Sequence, residues 1–184
     1  MRRITNILAA LSLVSAVHAA SASELEHPPR LLLFTSLIDQ SPSRAQLTKA
    51  GAGAQGQGLA AIVWDRSVSR YQRARAAAML GFWPQSQPEL QKIIGADALD
   101  TEIRIQAMGA LVYAVKGRAW PALSRYFDSP NPALANAAAR ALLTVDDPTL
   151  QAKLTKNIER FSPGTQRAIQ RRLEKRRGSA SDRR

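Results

Sequence analysis

Residues 73 to 80 (RARAAAML) and residues 104 to 111 (RIQAMGAL) decide the fold, because the second stretch repeats the phrase of the first. Weaker copies follow at the same interval, at 135 to 142 (ANAAARAL) and 166 to 173 (QRAIQRRL). In each copy, the fourth and eighth residues are apolar and lie on one face of a helix. The sequence therefore predicts four equivalent helices with the buried pairs Ala76 and Leu80, Ala107 and Leu111, Ala138 and Leu142, and Ile169 and Leu173.

The predicted helix starts carry suitable capping residues. Four positions before each copy stands a side chain that can accept a hydrogen bond from a free backbone N–H group, namely Ser69, Asp100, Asn131 and Ser162. Ser69 and Gln72 also have the spacing of a capping box. These residues favour helix starts at equivalent places in all four copies.

A second set of helices is predicted between the first four. Each opens with proline and carries leucine two residues later, at Pro88, Pro121 and Pro148. An earlier segment, 59 to 64, has the apolar spacing of one more such helix. The repeating unit is therefore predicted to be a pair of antiparallel helices.

The Arg-x-x-Ala phrase, together with the aspartates Asp65, Asp97 and Asp128 at the turns, resembles the short bacterial HEAT-like repeats that also occur in phycobilin-lyase-like proteins. The resemblance covers about residues 59 to 176. It implies an all-α fold, a short right-handed α-solenoid of about four to five antiparallel helix pairs. It also implies that the second helix of each pair lines a concave binding face, where Lys92, Arg125 and Lys153 could form a basic column. The alternative is that these three are ordinary solvated positions on amphipathic helices.

The ends of the chain differ from the repeats. Residues 1–22 have the charged start, apolar run and small-residue cleavage sites (near 19 or 22) of a Sec-type bacterial signal peptide, which predicts a periplasmic or secreted protein with no transmembrane segment after cleavage. Residues 23–58 are predicted to form a degenerate helical unit with a flexible glycine-rich loop. This loop either binds a partner or is a loose connection between two packed units. Residues 59–176 hold the repeats and a C-terminal cap, and residues 177–184 are predicted to be a basic disordered tail.

Positive charge is concentrated at the C-terminal end. The whole chain has a formal net charge of +12, and the cations Arg171, Arg172, Lys175, Arg176 and Arg177 lie close together near its end. Clustered cations favour contact with an anionic lipid or envelope surface, or with an acidic protein. A solvated capping helix would have the same composition. Nucleic acid is not expected as a partner of an exported protein.

Few residues suit catalysis or cofactor binding. The chain has no cysteine and two histidines, of which only His27 follows the predicted signal peptide, where it is expected to be an exposed lead-in to the first helix. No catalytic residue, metal site or cofactor is therefore predicted. The tryptophans Trp64, Trp83 and Trp120 are predicted to pack in the core. We expect an exported, non-enzymatic binding or scaffold module for a protein partner. The alternative is an enzyme-associated, lyase-like protein that handles a chromophore or another ligand.

Overall fold

The computed structural model describes residues 27–37 and 41–181, with side chains through residue 175. Over these ranges the chain is helical and contains no β-strand, which confirms the all-α class. None of the described helices is long and apolar enough to cross a membrane. The predicted signal peptide lies outside the described residues.

The α-helices are short, and several are joined by 3₁₀ turns. In chain order they are α1 (Pro29–Ser36), α2 (Arg44–Leu47), α3 (Gln57–Trp64), α4 (Arg70–Met79), α5 (Gln87–Gly95), α6 (Thr101–Val115), α7 (Trp120–Leu123), α8 (Pro132–Leu143), α9 (Pro148–Lys156) and α10 (Pro163–Ser181).

The four repeated phrases form α4, α6, α8 and α10. These helices begin at Arg70, Thr101, Pro132 and Pro163, so the constant interval between the copies is kept in the structure. Each contacts the next in chain order, and α1 contacts α4. We call α1, α4, α6, α8 and α10 the first row.

The second row consists of α3, α5, α7 and α9. Helix α3 packs on α4, α5 on α6, α7 on α8, and α9 on both α8 and α10. The starts with Pro88, Pro121 and Pro148 are confirmed, since each proline lies in the first two positions of its helix. Helix α7 has only four residues and continues on both sides as 3₁₀ turns.

The repeated apolar pairs form the centre of the core. Ala76, Ala107, Ala138 and Ile169 are fully buried, as are Leu111 and Leu142, and Leu80 is almost so. Leu173 is only partly buried, because α10 has no further described helix on its outer side.

The first arginine of the repeated phrase closes the turn between the rows. Arg73 Nε donates to the carbonyl of Val63 and Arg104 Nε to that of Ile94, both at 2.9 Å. Val63 and Ile94 lie in the last turn of a second-row helix, where carbonyls lack partners within the helix. Arg104 also pairs with Asp97 at 2.9 Å. The copy at 135 begins with alanine, which has no donor, and the copy at 166 begins with glutamine, whose Nε2 donates to the Phe161 carbonyl at 2.8 Å.

Of the four predicted caps, those of Ser69 and Asn131 form, whereas Asp100 makes another contact and the Ser162 hydroxyl donates to the Thr165 hydroxyl at 3.4 Å. Ser69 accepts a hydrogen bond from the Gln72 N–H, and Asn131 accepts one from the Ala133 N–H. Asp100 does not cap α6, and its carboxylate instead lies 3.9 Å from Arg73 Nη1. Gln72 Oε1 accepts a hydrogen bond from the Ser69 hydroxyl and not from the Ser69 backbone N–H, so the predicted capping box does not form.

The N-terminal unit differs from its prediction in two ways. The offsets of the repeats recur at Arg30, Leu33, Phe34 and Leu37 and predict that Leu33 is buried. The structure instead buries Leu31 and exposes Leu33, so α1 turns a different face to the core. The predicted glycine-rich loop is partly helical and only partly packed, since Ala52 and Gly56 are buried whereas Ala54 and Gln55 are exposed. Residues Thr48–Ala52 form a π-helical turn, and at Gly51, with φ of 106°, a Cβ atom would come within 2.6 Å of Pro28.

Helix α10 continues to Ser181. The predicted start of a disordered tail at residue 177 therefore falls inside this helix, and residues 177 to 181 have helical backbone.

Candidate partner-binding site

Lys92, Arg125 and Lys153, which we call the basic trio, lie on successive parts of the second row. Lys92 is on α5, Arg125 is in the 3₁₀ turn that follows α7, and Lys153 is on α9. All three are exposed. None forms an ion pair with a carboxylate of the described residues. The trio therefore presents positive charge that the described part of the chain does not neutralise.

Two members of the trio rest on tryptophan rings of the preceding second-row helix. Lys92 Nζ lies 4.9 Å from the centre of the Trp64 ring, and Lys153 Nζ lies 5.4 Å from that of Trp120. Each contact stabilises the lysine position by about 0.5–1 kcal/mol. The Trp64 indole N–H donates to Glu89 Oε1 at 2.5 Å, which fixes the ring between α3 and α5.

The tryptophans have two different roles. Trp83 is fully buried, as predicted. Trp64 and Trp120 also pack on the core but keep part of the ring accessible to a lysine. Sequence reasoning did not find the lysine–tryptophan pairs, because their members are far apart in the chain and belong to different repeats.

A small cleft lies beside Arg125. It has a volume of about 60 Å³ and is lined by Gln91, Ile94, Ala122, Arg125 and Tyr126. The cleft separates α5 from the α7 region. A side chain of a partner could enter it next to the Arg125 guanidinium.

The predicted cations of the C-terminal end fall into three groups. Arg171 and Lys175 are exposed on α10. Arg172 is partly buried, and its Nη2 lies 3.5 Å from Asp146 Oδ1. The side chains of Arg176 and Arg177 lie outside the described ones. Arg172 is thus partly neutralised by the preceding repeat.

The first row carries a groove at a place where no site was predicted. A groove of about 540 Å³ between α6 and α8 adjoins a hollow of about 220 Å³ between α4 and α6. The two depressions share Gln106 and Gly109. We call them together the furrow. The one sequence signal for it is Gly109 itself, a glycine in the middle of a 15-residue helix.

His27 is not the exposed lead-in that the sequence predicted. It is only 8% exposed, and its Nε2 lies 2.7 Å from Asp65 Oδ2. The other carboxylate oxygen of Asp65 accepts hydrogen bonds from the backbone N–H and the hydroxyl of Ser67. These two hydrogen bonds from Ser67, and then the contact with His27, lower the pKa of Asp65. The pair ties the N-terminal segment to the turn between α3 and α4.

The lowered pKa of Asp65 predicts that the His27–Asp65 contact contributes less to stability at acidic pH. A carboxyl group with a lowered pKa in the folded state stabilises that state above its unfolded pKa, about 3.9, and loses the effect as the pH falls through the folded pKa. We therefore expect Asp65→Asn to be less stable than the wild type at neutral pH, and the difference in unfolding free energy to shrink below about pH 4. Urea unfolding across this pH range measures it. A difference that stays constant with pH would contradict the role of the ionised carboxylate.

Among the described residues, no three side chains of the kinds that bind metals come together in a group that could hold an ion. The Ser67 hydroxyl contacts the aspartate of the His27–Asp65 pair.

No family model, no curated protein and no solved structure matches this chain.

Proposed function

We propose that this chain is an exported, non-enzymatic binding module built as a short right-handed solenoid of HEAT-like helix pairs, and that its basic trio holds an acidic segment of a partner protein. The repeat assignment is supported by the equal spacing of the first-row helix starts and by the equivalent contacts of Arg73 and Arg104 with the preceding helix. Export is supported by the pattern of residues 1–22.

The observation that carries the choice of partner is the placement of Lys92 and Lys153 on tryptophan rings, without an ion pair to any carboxylate of the described residues. A lysine held on a ring loses less side-chain freedom when it binds, so more of the interaction energy remains as affinity. Its ammonium group still has donors directed away from the ring. Carboxylates spaced along an acidic segment suit cations on successive helices.

A direct test uses a fluorescein-labelled oligoglutamate peptide. The variant Lys92→Gln/Arg125→Gln/Lys153→Gln should bind it about tenfold more weakly than the wild type, which corresponds to about 0.5 kcal/mol for each exposed ion pair. Fluorescence anisotropy measures the dissociation constants. Added salt should weaken the binding of the wild type more than that of the variant.

The matched control removes the same charge elsewhere. Arg30, Lys49 and Arg66 are also exposed, and the triple glutamine variant at these positions loses the same three positive charges. It should bind the peptide nearly as well as the wild type. If both triple variants weaken binding equally, net charge alone explains the affinity and the assignment of the basic trio is wrong.

An anionic envelope surface is the second candidate partner, and α10 would contact it. The exposed positions of Arg171 and Lys175 on α10 favour it, since clustered cations attract anionic head groups. Vesicles that contain phosphatidylglycerol distinguish the two candidates. Vesicle binding that the variant of the basic trio retains and that Arg171→Gln/Lys175→Gln loses would identify α10 as the contact.

A further inference from the structure

We propose that the furrow is a second binding surface, and that it binds a helix of a partner protein. One end of this partner helix is apolar and the other end is acidic. The furrow is lined by residues of α4, α6 and α8, by Phe82 and Thr144 just after α4 and α8, and by Ser162, so it shares no residue with the basic trio. This inference therefore goes beyond the proposed function and is tested with different variants.

Gly109 is the first observation behind the proposal. Glycine in the middle of a helix lowers its stability relative to alanine, so its presence needs a reason. At Gly81 the reason lies within the chain, because a Cβ atom there would come within 2.9 Å of the Ala110 carbonyl oxygen. At Gly109, apart from the backbone of its own helix, no atom of the described structure lies within 4 Å of the position that a Cβ would take. The missing side chain leaves space that the described part of the chain does not use.

Gly109 lies where the two depressions of the furrow meet. Gly109 is exposed and lines both depressions, so the furrow crosses α6 at the point where no side chain stands. Beyond it, the groove toward α8 has the small side chains of Ala133, Ala137 and Ala141 among its lining. Small residues on a helix allow another backbone to approach closely. A partner helix that crosses α6 at Gly109 would fill the furrow.

One end of the furrow is apolar and aromatic. Phe82 and Tyr113 line the hollow between α4 and α6 and meet edge to face, with ring centres 5.7 Å apart. Tyr113 is 57% exposed, one of the few large apolar side chains on the described surface that are accessible to this degree. Phe82 is partly buried, and Lys116 Nζ lies 4.8 Å from the centre of the Tyr113 ring. An exposed tyrosine against a partly buried phenylalanine beside a hollow still favours an apolar side chain of a partner.

The other end of the furrow is cationic. The position of Gly109 in its repeat is occupied by Ala78 in the preceding helix of the first row and by Arg140 and Arg171 in the two that follow. Arg140 is exposed, and its Nε donates to the Thr165 hydroxyl at 3.1 Å, so its terminal nitrogens are not used in that contact. No residue that lines the furrow is acidic. Arg140 is the cation among the residues that line the furrow, and it favours an occupant with a carboxylate at this end.

Binding of a designed peptide tests the proposal. The probe is a labelled helical peptide with leucine and alanine on one face of its first half and glutamate in its second half, and its partner peptide carries lysine in place of glutamate. We expect the acidic peptide to bind the full chain and the lysine peptide to bind about tenfold more weakly or less. Gly109→Leu, which fills the crossing point, and Arg140→Gln, which removes the cation, should each weaken binding of the acidic peptide by about tenfold.

Gly95→Leu is the matched control, because Gly95 is also exposed in a helix but lies on α5, outside the furrow. It should bind the acidic peptide like the wild type, and so should the glutamine variant of the basic trio. Gly109→Leu should melt at or above the temperature of the wild type, since leucine favours a helix more than glycine does. If the melting temperature of Gly109→Leu falls, its loss of binding could come from misfolding, and the binding of Arg140→Gln then tests the proposal.

Three results would overturn the proposal. The first is no measurable binding of the acidic peptide to the wild type, and the second is unchanged binding by both Gly109→Leu and Arg140→Gln. The third comes from sedimentation: a wild-type dimer that Gly109→Leu converts to a monomer would assign the furrow to a second copy of this chain. Loss of binding in the variant of the basic trio alone would instead place the peptide on the second row.

Discussion

Leu111→Ala should lower the free energy of unfolding by about 2–5 kcal/mol, which is a large part of the ~5–15 kcal/mol that a domain of this size typically has. Leu111 is fully buried in α6, and α6 packs against α4, α5 and α8. Neighbours on several sides cannot all move into the space of a lost side chain. The cost therefore includes a residual cavity as well as the lost burial of apolar groups.

Two further leucine variants provide the comparison. Leu173→Ala, in the equivalent position of the last repeat, should cost clearly less, because Leu173 is only partly buried. Leu33→Ala should change stability by less than about 0.5 kcal/mol, since Leu33 is 57% exposed. Urea unfolding followed by circular dichroism measures all three. Equal losses at Leu111 and Leu173 would show that α10 is as deeply packed as α6 and is not a cap.

The period of the repeats was readable from the sequence because every copy repeats the same buried face. A helix that packs between two similar helices needs apolar residues at the same positions as its neighbours, so the constraint recurs at each repeat. Helix α1 shows the limit of this reasoning. Its sequence from Leu31 to Phe34 is apolar without interruption, so periodicity cannot select the face that is buried, and the structure buries Leu31 and exposes Leu33.

Contacts between side chains of different repeats were not readable from the sequence. The Lys92–Trp64 and Lys153–Trp120 pairs depend on how far each second-row helix slides along its neighbour. The His27–Asp65 contact joins residues 38 positions apart, and no pattern near His27 indicates the turn that it meets. The furrow likewise depends on the side chains of α4 and α8 on either side of Gly109. Periodicity identifies which face of a helix is buried but not which side chains of other helices lie opposite it.

The shared geometry of Arg73 and Arg104 leads to the second large expected effect. Arg104→Met should lower the free energy of unfolding by about 1.5–3 kcal/mol, the usual contribution of a hydrogen bond that involves a charged group. Methionine keeps most of the apolar stem of arginine but cannot donate to the Ile94 carbonyl, which is then left without this partner at the end of α5. Arg104 itself is buried, so water cannot easily replace the lost donor.

Asp97→Asn distinguishes the contribution of the Arg104–Asp97 ion pair to stability from that of the hydrogen bond between Arg104 and the Ile94 carbonyl. The carboxylate of Asp97 is almost fully exposed, so its pair with Arg104 is screened by solvent and should contribute less than about 1 kcal/mol. Arg104→Lys keeps the charge but lacks the forked donors that reach Ile94 and Asp97 together, and we expect it to lose most of what Arg104→Met loses. Chemical unfolding of the three variants at one pH gives the comparison. If Asp97→Asn costs as much as Arg104→Met, the ion pair holds the turn and the repeated arginine has a different role from the one that its contact with the Ile94 carbonyl indicates.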